Sequence, residues 1–122
     1  MVNALFDTNI LIDHLNGIEE AMIEMRRYES RAISVITWME VLVGATADEE
    51  QTLRAWLNSF RVIAVDDAVS SRAVQIRKAA RIKQPDAIIW ACAQAHSMLL
   101  VTRNTKDFST NEPGVRIPYQ LT

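Results

Sequence analysis

The chain has 122 residues, 49% of them apolar, and a formal net charge of −2. That size suits one domain with one continuous core, so a single domain over residues 1–122 is expected. No apolar run approaches the roughly 18 residues that cross a bilayer, and the acids Asp7 and Asp13 interrupt the opening segment where a signal peptide is uncharged. A cytoplasmic protein without membrane attachment is therefore expected.

Val2 to Phe6 is short and apolar and runs into Asp7-Thr8-Asn9, residue types that turn chains and cap helices, which predicts a buried strand passing into a helix. Ile10, Leu11, Ile12 and Leu15 continue that helix to Asn16-Gly17, and Ile18, Met22, Met25 and Tyr28 recur at helical spacing in the next. Ala32 to Ser34 reads as a second strand, followed by a helix from about Val35 to Gly44 that is apolar on nearly every side except at Glu40. Leu53, Trp56, Leu57 and Phe60 mark a further amphipathic helix, Val62 to Val65 a third strand, and Asp67 to Ile82 a long helix. Pro85 suits the first turn of a helix from Asp86 to about Ser97; Met98 to Thr102 is a fourth strand, and Val115 to Ile117 a fifth. Strands alternating with helices and reading as unbroken apolar runs imply an α/β fold, a mostly parallel sheet covered by helices on both faces.

The total charge conceals an uneven distribution. Residues 1–67 carry five Lys/Arg and twelve Asp/Glu, whereas residues 68–122 carry eight and three. Arg72, Arg77, Lys78, Arg81 and Lys83 fall in one stretch without an acid, and Arg103 and Lys106 follow. Such a stretch is either a solvated helix face or a surface that attracts phosphates, with Arg103, Arg77 and Arg81 as candidate contacts.

Three carboxylates border the predicted core. Asp7 ends the first strand, Glu40 interrupts an apolar helix, and Asp86 opens the helix that continues Ala-Ile-Ile-Trp-Ala-Cys-Ala. Singly, each has a structural explanation, as an N-cap, a solvent-facing acid and a first-turn acid favoured by the helix dipole. If they meet instead, mutual repulsion raises their pKa values unless a hard cation neutralises them. Cys92 stands alone and reads as a buried small hydrophobe, and His14 and His96 have no zinc-ligand spacing, so oxygen ligands favour Mg²⁺ or Mn²⁺ over zinc. Hydrolysis of a phosphodiester is a natural use of such a site, because no protein nucleophile is needed. Gly17, Gly44 and Gly114 are isolated, which removes phosphate-gripping glycine loops from consideration.

The segments LFDTNILID, ISVITWMEVLVG, PDAIIWACAQAH and LLVTRNTKDF, in this order across nearly the whole chain, resemble the PIN-domain family, in particular VapC-type toxins of toxin–antitoxin pairs. The resemblance implies an acidic Mg²⁺ site at Asp7, Glu40 and Asp86 with a fourth position at Asn104. Relatives often have Asp at that fourth position; the Asn offers a carbonyl oxygen without charge. It further implies Thr8 and Thr102 as hydroxyls orienting the carboxylates, with Asp107 assisting or serving a turn. Endoribonuclease activity, a homodimer and an inhibiting antitoxin protein belong to the same implication. The link from Arg81 to Pro85 lacks the glycine-containing loop common in relatives.

Two other readings stay open at this point. One is a non-catalytic PIN-like module that holds RNA or a protein in the same groove; the other is a receiver-like domain phosphorylated at Asp7 or Asp66. Met22 and Met25 belong either to the core or to an adaptable antitoxin groove. Trp38, Trp56 and Trp90 lie among apolar neighbours, so packing is expected of them rather than base stacking.

Overall fold

The computed structural model describes residues 2–121. Five strands, β1 (Asn3–Phe6), β2 (Ser30–Ser34), β3 (Arg61–Ile63), β4 (Leu99–Val101) and β5 (Val115–Arg116), form one sheet in the order β3-β2-β1-β4-β5. Every neighbouring pair is parallel. Among the described residues six helices connect them: α1 (Thr8–Leu15), α2 (Glu19–Arg26), α3 (Val35–Val43), α4 (Ala47–Leu57), α5 (Asp67–Ala79) and α6 (Gln84–Ala95). None of these helices is long and apolar enough to cross a membrane.

Successive strand residues point to opposite faces, and both faces are covered, which is why the strands read as continuous apolar runs. Leu5, Ala32, Ile63 and Leu100 pack with Val69, Ile76 and Ile89 of α5 and α6. Ala4, Phe6, Ile33 and Val101 pack on the other face with Ile10, Leu11, Met25 and Leu57. Fully burying a Leu, Ile or Phe side chain is worth about 1.5–3 kcal/mol, so these two layers supply the main drive for folding.

The helix starts follow from side-chain chemistry. Asp7 and Ser34 cap α1 and α3, Asp66 caps α5, and Thr46 with Glu49 forms a capping box on α4. The expected helix to Ile82 stops earlier, because Ala80 turns to extended backbone (φ −140°, ψ 152°). Ile82 is buried all the same, plugging the link before α6. That helix begins at Gln84 rather than Asp86, with Pro85 in its first turn. The third strand is confined to Arg61–Ile63, with Ala64 and Val65 exposed beyond it.

Met25 belongs to the core and Met22 is half-buried. The tryptophans pack: Trp90 meets Phe108 edge-on at 5.3 Å, Trp56 stacks on His14 at 5.0 Å, and Arg54 lies 5.0 Å over the Trp38 ring. Cys92 is fully buried.

Strand order fixes the place of function. From β1 the chain steps outward to β2 and β3, then returns through α5 and α6 to lay β4 on the other side of β1. The crevice at the carboxyl ends of β1 and β4 is thus the topological switch point, where open parallel sheets bind ligands. Asp7 follows β1 and Thr102 follows β4, and the Asp7 amide donates to the Val101 carbonyl at 2.9 Å.

Candidate active site

Asp7 is only 4% exposed and caps α1. Its Oδ1 accepts the Thr8 amide at 2.7 Å; its Oδ2 accepts the Thr102 hydroxyl at 2.7 Å and the Asn9 carboxamide at 3.3 Å. The Thr102 hydroxyl also accepts the Asn104 amide at 3.1 Å and Asn9 Nδ2 at 3.3 Å. With both lone pairs engaged, its single proton is committed to Asp7. Burial pushes the Asp7 pKa up, the bonds from Thr102 and Thr8 oppose this, and the charges of Glu40 and Asp107 add to the rise, leaving it above the usual value.

Glu40 is exposed at the mouth of the crevice, on the face of α3 that also carries Thr37 one turn earlier. The Thr8 hydroxyl donates to Glu40 Oε1 at 2.6 Å and lies 2.9 Å from the Thr37 hydroxyl. A hydroxyl has one proton, so Thr37, fully buried, must be the donor to Thr8. The resulting chain Thr37 to Thr8 to Glu40 fixes the carboxylate from the core outward.

Asp86 is the third residue of α6, where the helix dipole favours an anion. Its pKa is nevertheless pushed up to about 6, by burial first, then by the charge of Asp7, by the neighbouring Asp107 carboxyl and by the charge of Glu40. The turn after β4 positions Asp107. Asn104 Oδ1 accepts the amides of Lys106 (3.1 Å) and Asp107 (3.2 Å), while its Nδ2 donates to Asp107 Oδ2 at 3.0 Å. The carbonyl oxygen expected to complete a cation shell is thereby engaged in shaping this turn.

The three candidate phosphate contacts occupy different places in the fold. Arg103 forms a two-pronged pair with Asp13, Nε to Oδ2 at 2.7 Å and Nη2 to Oδ1 at 3.0 Å. Tyr119 also donates to Asp13 Oδ2 at 2.7 Å. Arg77 donates to Gln84 at 2.9 Å, joining α5 to the start of α6, and Arg81 is exposed in the link between these helices. Sequence reasoning passed over Asn9, Thr37, Asp13 and Gln120. Only the polar run Asp7-Thr8-Asn9 carried a local signal for any of them.

An open cleft of about 500 Å³ gathers Asp7, Thr8, Asn9, Glu40, Asp86, Arg103, Asn104, Thr105, Lys106 and Gln120. Asp7, Glu40, Asp86 and Asn104 thus share one cleft, with Thr102 and Asp107 immediately behind it. Among the described residues, no three His, Cys, Asp or Glu side chains close into a ready-made coordination shell. Mg²⁺ does not require one, since it keeps several waters and binds through one or two carboxylates. The donors to Asp7 are all neutral, the charges of Glu40 and Asp107 raise its pKa, and the charge of Asp7 raises that of Asp86. A cluster of carboxylate oxygens without Cys or His among its neighbours in the cleft fits a hard divalent cation.

Comparison with known proteins agrees with this architecture. The model of the PIN domain matches residues 4–111. Ribonuclease VapC10 of Mycobacterium tuberculosis is 30% identical over 112 residues, covering 85% of this chain and 84% of that protein. A toxin–antitoxin complex from Klebsiella pneumoniae contains a chain that superposes with a TM-score of 0.93 at 47% identity, over 98% of this chain and 100% of that one. FitAcB from Neisseria gonorrhoeae superposes with a TM-score of 0.78 at 25% identity, over 97% and 99%. With the family model spanning most of its length and the sheet's switch point carrying the acidic cleft, this chain belongs to the PIN domain family and, within it, to the VapC-type proteins.

Proposed function

We propose that the protein is a Mg²⁺-dependent endoribonuclease, able to use Mn²⁺, and the toxin of a VapBC-like toxin–antitoxin pair. The observation that carries this reading is the convergence of Asp7, Asp86 and Glu40 in one cleft at the switch point, where the charge of Asp7 raises the pKa of Asp86 and that of Glu40 raises both. The similarity to a protein named a ribonuclease supports the activity, and that to a toxin–antitoxin complex supports a cognate antitoxin as partner. A homodimer is part of the same reading.

Asp7, Asp86 and Glu40 would hold the cation, with Asn104 shaping the turn that brings Asp107 to Asp86. The chemistry supplied by Mg²⁺ when bound is polarisation of a phosphoryl oxygen and acidification of water. The chain's own residues perform the positioning. Thr102 and Asn9 fix the Asp7 carboxylate, and Thr37 through Thr8 fixes Glu40. Glu40, the most exposed of the three, orients the attacking water. Water gives up a proton to solvent as its oxygen bonds to phosphorus, the ester bond to the leaving oxygen breaks, and that oxygen takes a proton from solvent.

The test is cleavage of total RNA by the purified protein in Mg²⁺, in Mn²⁺ and in excess EDTA, with Asp7→Asn prepared identically. Discrete fragments that require a divalent ion and vanish in the variant support the proposal. Identical lanes contradict it and favour a module that holds RNA or protein without cutting.

A further inference from the structure

Resting on the nuclease reading above, we propose that the two cations lining the cleft divide the work: Lys106 binds a phosphate of the RNA strand beside the scissile bond, and Arg103 is a positioning residue that never leaves Asp13.

The cleft presents both Arg103 and Lys106 to an incoming strand. Arg103 is the obvious phosphate ligand by chemistry, yet the Nε–Nη2 edge of its guanidinium, the edge that grips an oxyanion with two parallel bonds, is already taken. Nε and Nη2 grip both oxygens of Asp13, a carboxylate only 4% exposed, at 2.7 and 3.0 Å. Tyr119 from the C-terminal segment donates to the same carboxylate. Pulling Arg103 away would leave Asp13 buried without its counter-charge, which is strongly destabilising. A single phosphate contact does not repay that.

The backbone beside Arg103 shows what the pair does instead. The Arg103 amide donates to Asn9 Oδ1 at 3.1 Å, and Asn9 Nδ2 reaches Asp7 and Thr102. Arg103 is thus pinned to α1 twice, by side chain and by backbone, and it is the residue from which the turn carrying Asn104, Lys106 and Asp107 departs.

Lys106 is placed differently. It is exposed, and among the described residues no carboxylate pairs with its ammonium. Its backbone is nevertheless fixed, because its amide donates to Asn104 Oδ1 in the same turn that sets Asp107 against Asp86. A free cation on a fixed turn at the rim of an acidic cleft suits a phosphate next to the reacting one, where it offsets repulsion between the strand and the carboxylates.

The experiment pairs two readouts on the full chain. Binding of a short single-stranded RNA oligonucleotide is followed by fluorescence anisotropy in EDTA over a range of salt concentrations, and cleavage of the same RNA in Mg²⁺ gives kcat and KM. Lys106→Ala should weaken binding about five-fold and flatten the log–log salt dependence by about 0.7, the loss of one phosphate contact on a single strand; Lys106→Arg should restore both. The double variant Asp13→Asn/Arg103→Gln, which removes the guanidinium without leaving a buried unpaired carboxylate, should leave the salt slope unchanged, since no phosphate contact is lost, and lower kcat about ten-fold with KM little moved. Its melting temperature is recorded so that loss of fold is recognised.

Wild-type protein that neither binds nor cleaves RNA overturns the nuclease reading and this inference with it. Wild-type binding or cleavage with Lys106→Ala indistinguishable from it overturns this inference alone, as does a reduced salt slope in Asp13→Asn/Arg103→Gln.

Discussion

Asp7 is held by three donors, and none of them is charged: the Thr8 amide, the Thr102 hydroxyl and the Asn9 carboxamide. A nearly buried carboxylate so placed is costly as an anion, and burial accordingly raises its pKa. Asp7→Asn removes that cost with almost no change of volume. The expected outcome is loss of RNA cleavage by at least about a hundred-fold, the upper range for altering metal-site residues, with a melting temperature near that of the wild type, because removal of the buried charge offsets the one acceptor oxygen lost. Thr8→Val tests the hydroxyl relay: activity should fall roughly ten- to hundred-fold because Glu40 loses its anchor, while circular dichroism stays native. Thr102→Val differs, because Thr102 is fully buried and feeds Asp7 directly. Chemical denaturation should show a loss of about 1–3 kcal/mol together with the loss of activity. The three carboxylates were legible in the sequence because each breaks an apolar context. Thr37 and Asp13 were not, because their partners lie across the fold; the Asp13 carboxylate meets Arg103, ninety positions away.

At the scale of elements, one ion pair ties α2 to the edge strand β5. Glu24, 3% exposed, accepts Arg116 at 2.6 and 3.0 Å and Tyr28 at 2.9 Å. Burial alone would raise the Glu24 pKa, but the bonds from Arg116 and Tyr28 outweigh it and hold it below its ordinary 4.5. A depressed carboxylate pKa gives stability that is present above the unfolded value and lost as pH falls through the folded one. Arg116→Met should therefore destabilise the protein by about 2 kcal/mol at pH 7, the range of a charged hydrogen bond at a partly exposed site. The gap from wild type should close as pH falls below 4.5; denaturation at pH 7 and pH 3.5 measures it. Glu24 and Arg116 lie in elements the periodicity found, but their pairing did not show in it. Element type was legible almost throughout, since apolar runs and helical spacing are local. The ends of α5 and β3 were not, because Ile82 is apolar for its place in the link, and Ala64 and Val65 are exposed despite their composition.

For the whole molecule, the decisive feature is the reversal of strand order between β1 and β4. An alternation of strands and helices predicts a parallel sheet but leaves the order open, because order is set by how each crossover packs and not by any one segment. Once β4 lies beside β1, residues nearly a hundred positions apart meet in one cleft: Asp7 with Thr102, Asn9 with Arg103. The acidic first half and basic second half of the chain also meet there, Asp7 and Glu40 coming from one, Asp86, Arg103 and Lys106 from the other. The account's central claim, that these carboxylates form a cation site, is tested most directly by Mn²⁺ binding, with free Mn²⁺ followed by electron paramagnetic resonance for the wild type, Asp7→Asn and Asp86→Asn. Saturable binding by the wild type, lost in both variants and displaced by Mg²⁺, is the predicted result. Equal Mn²⁺ uptake by all three proteins, or none by the wild type, would contradict it.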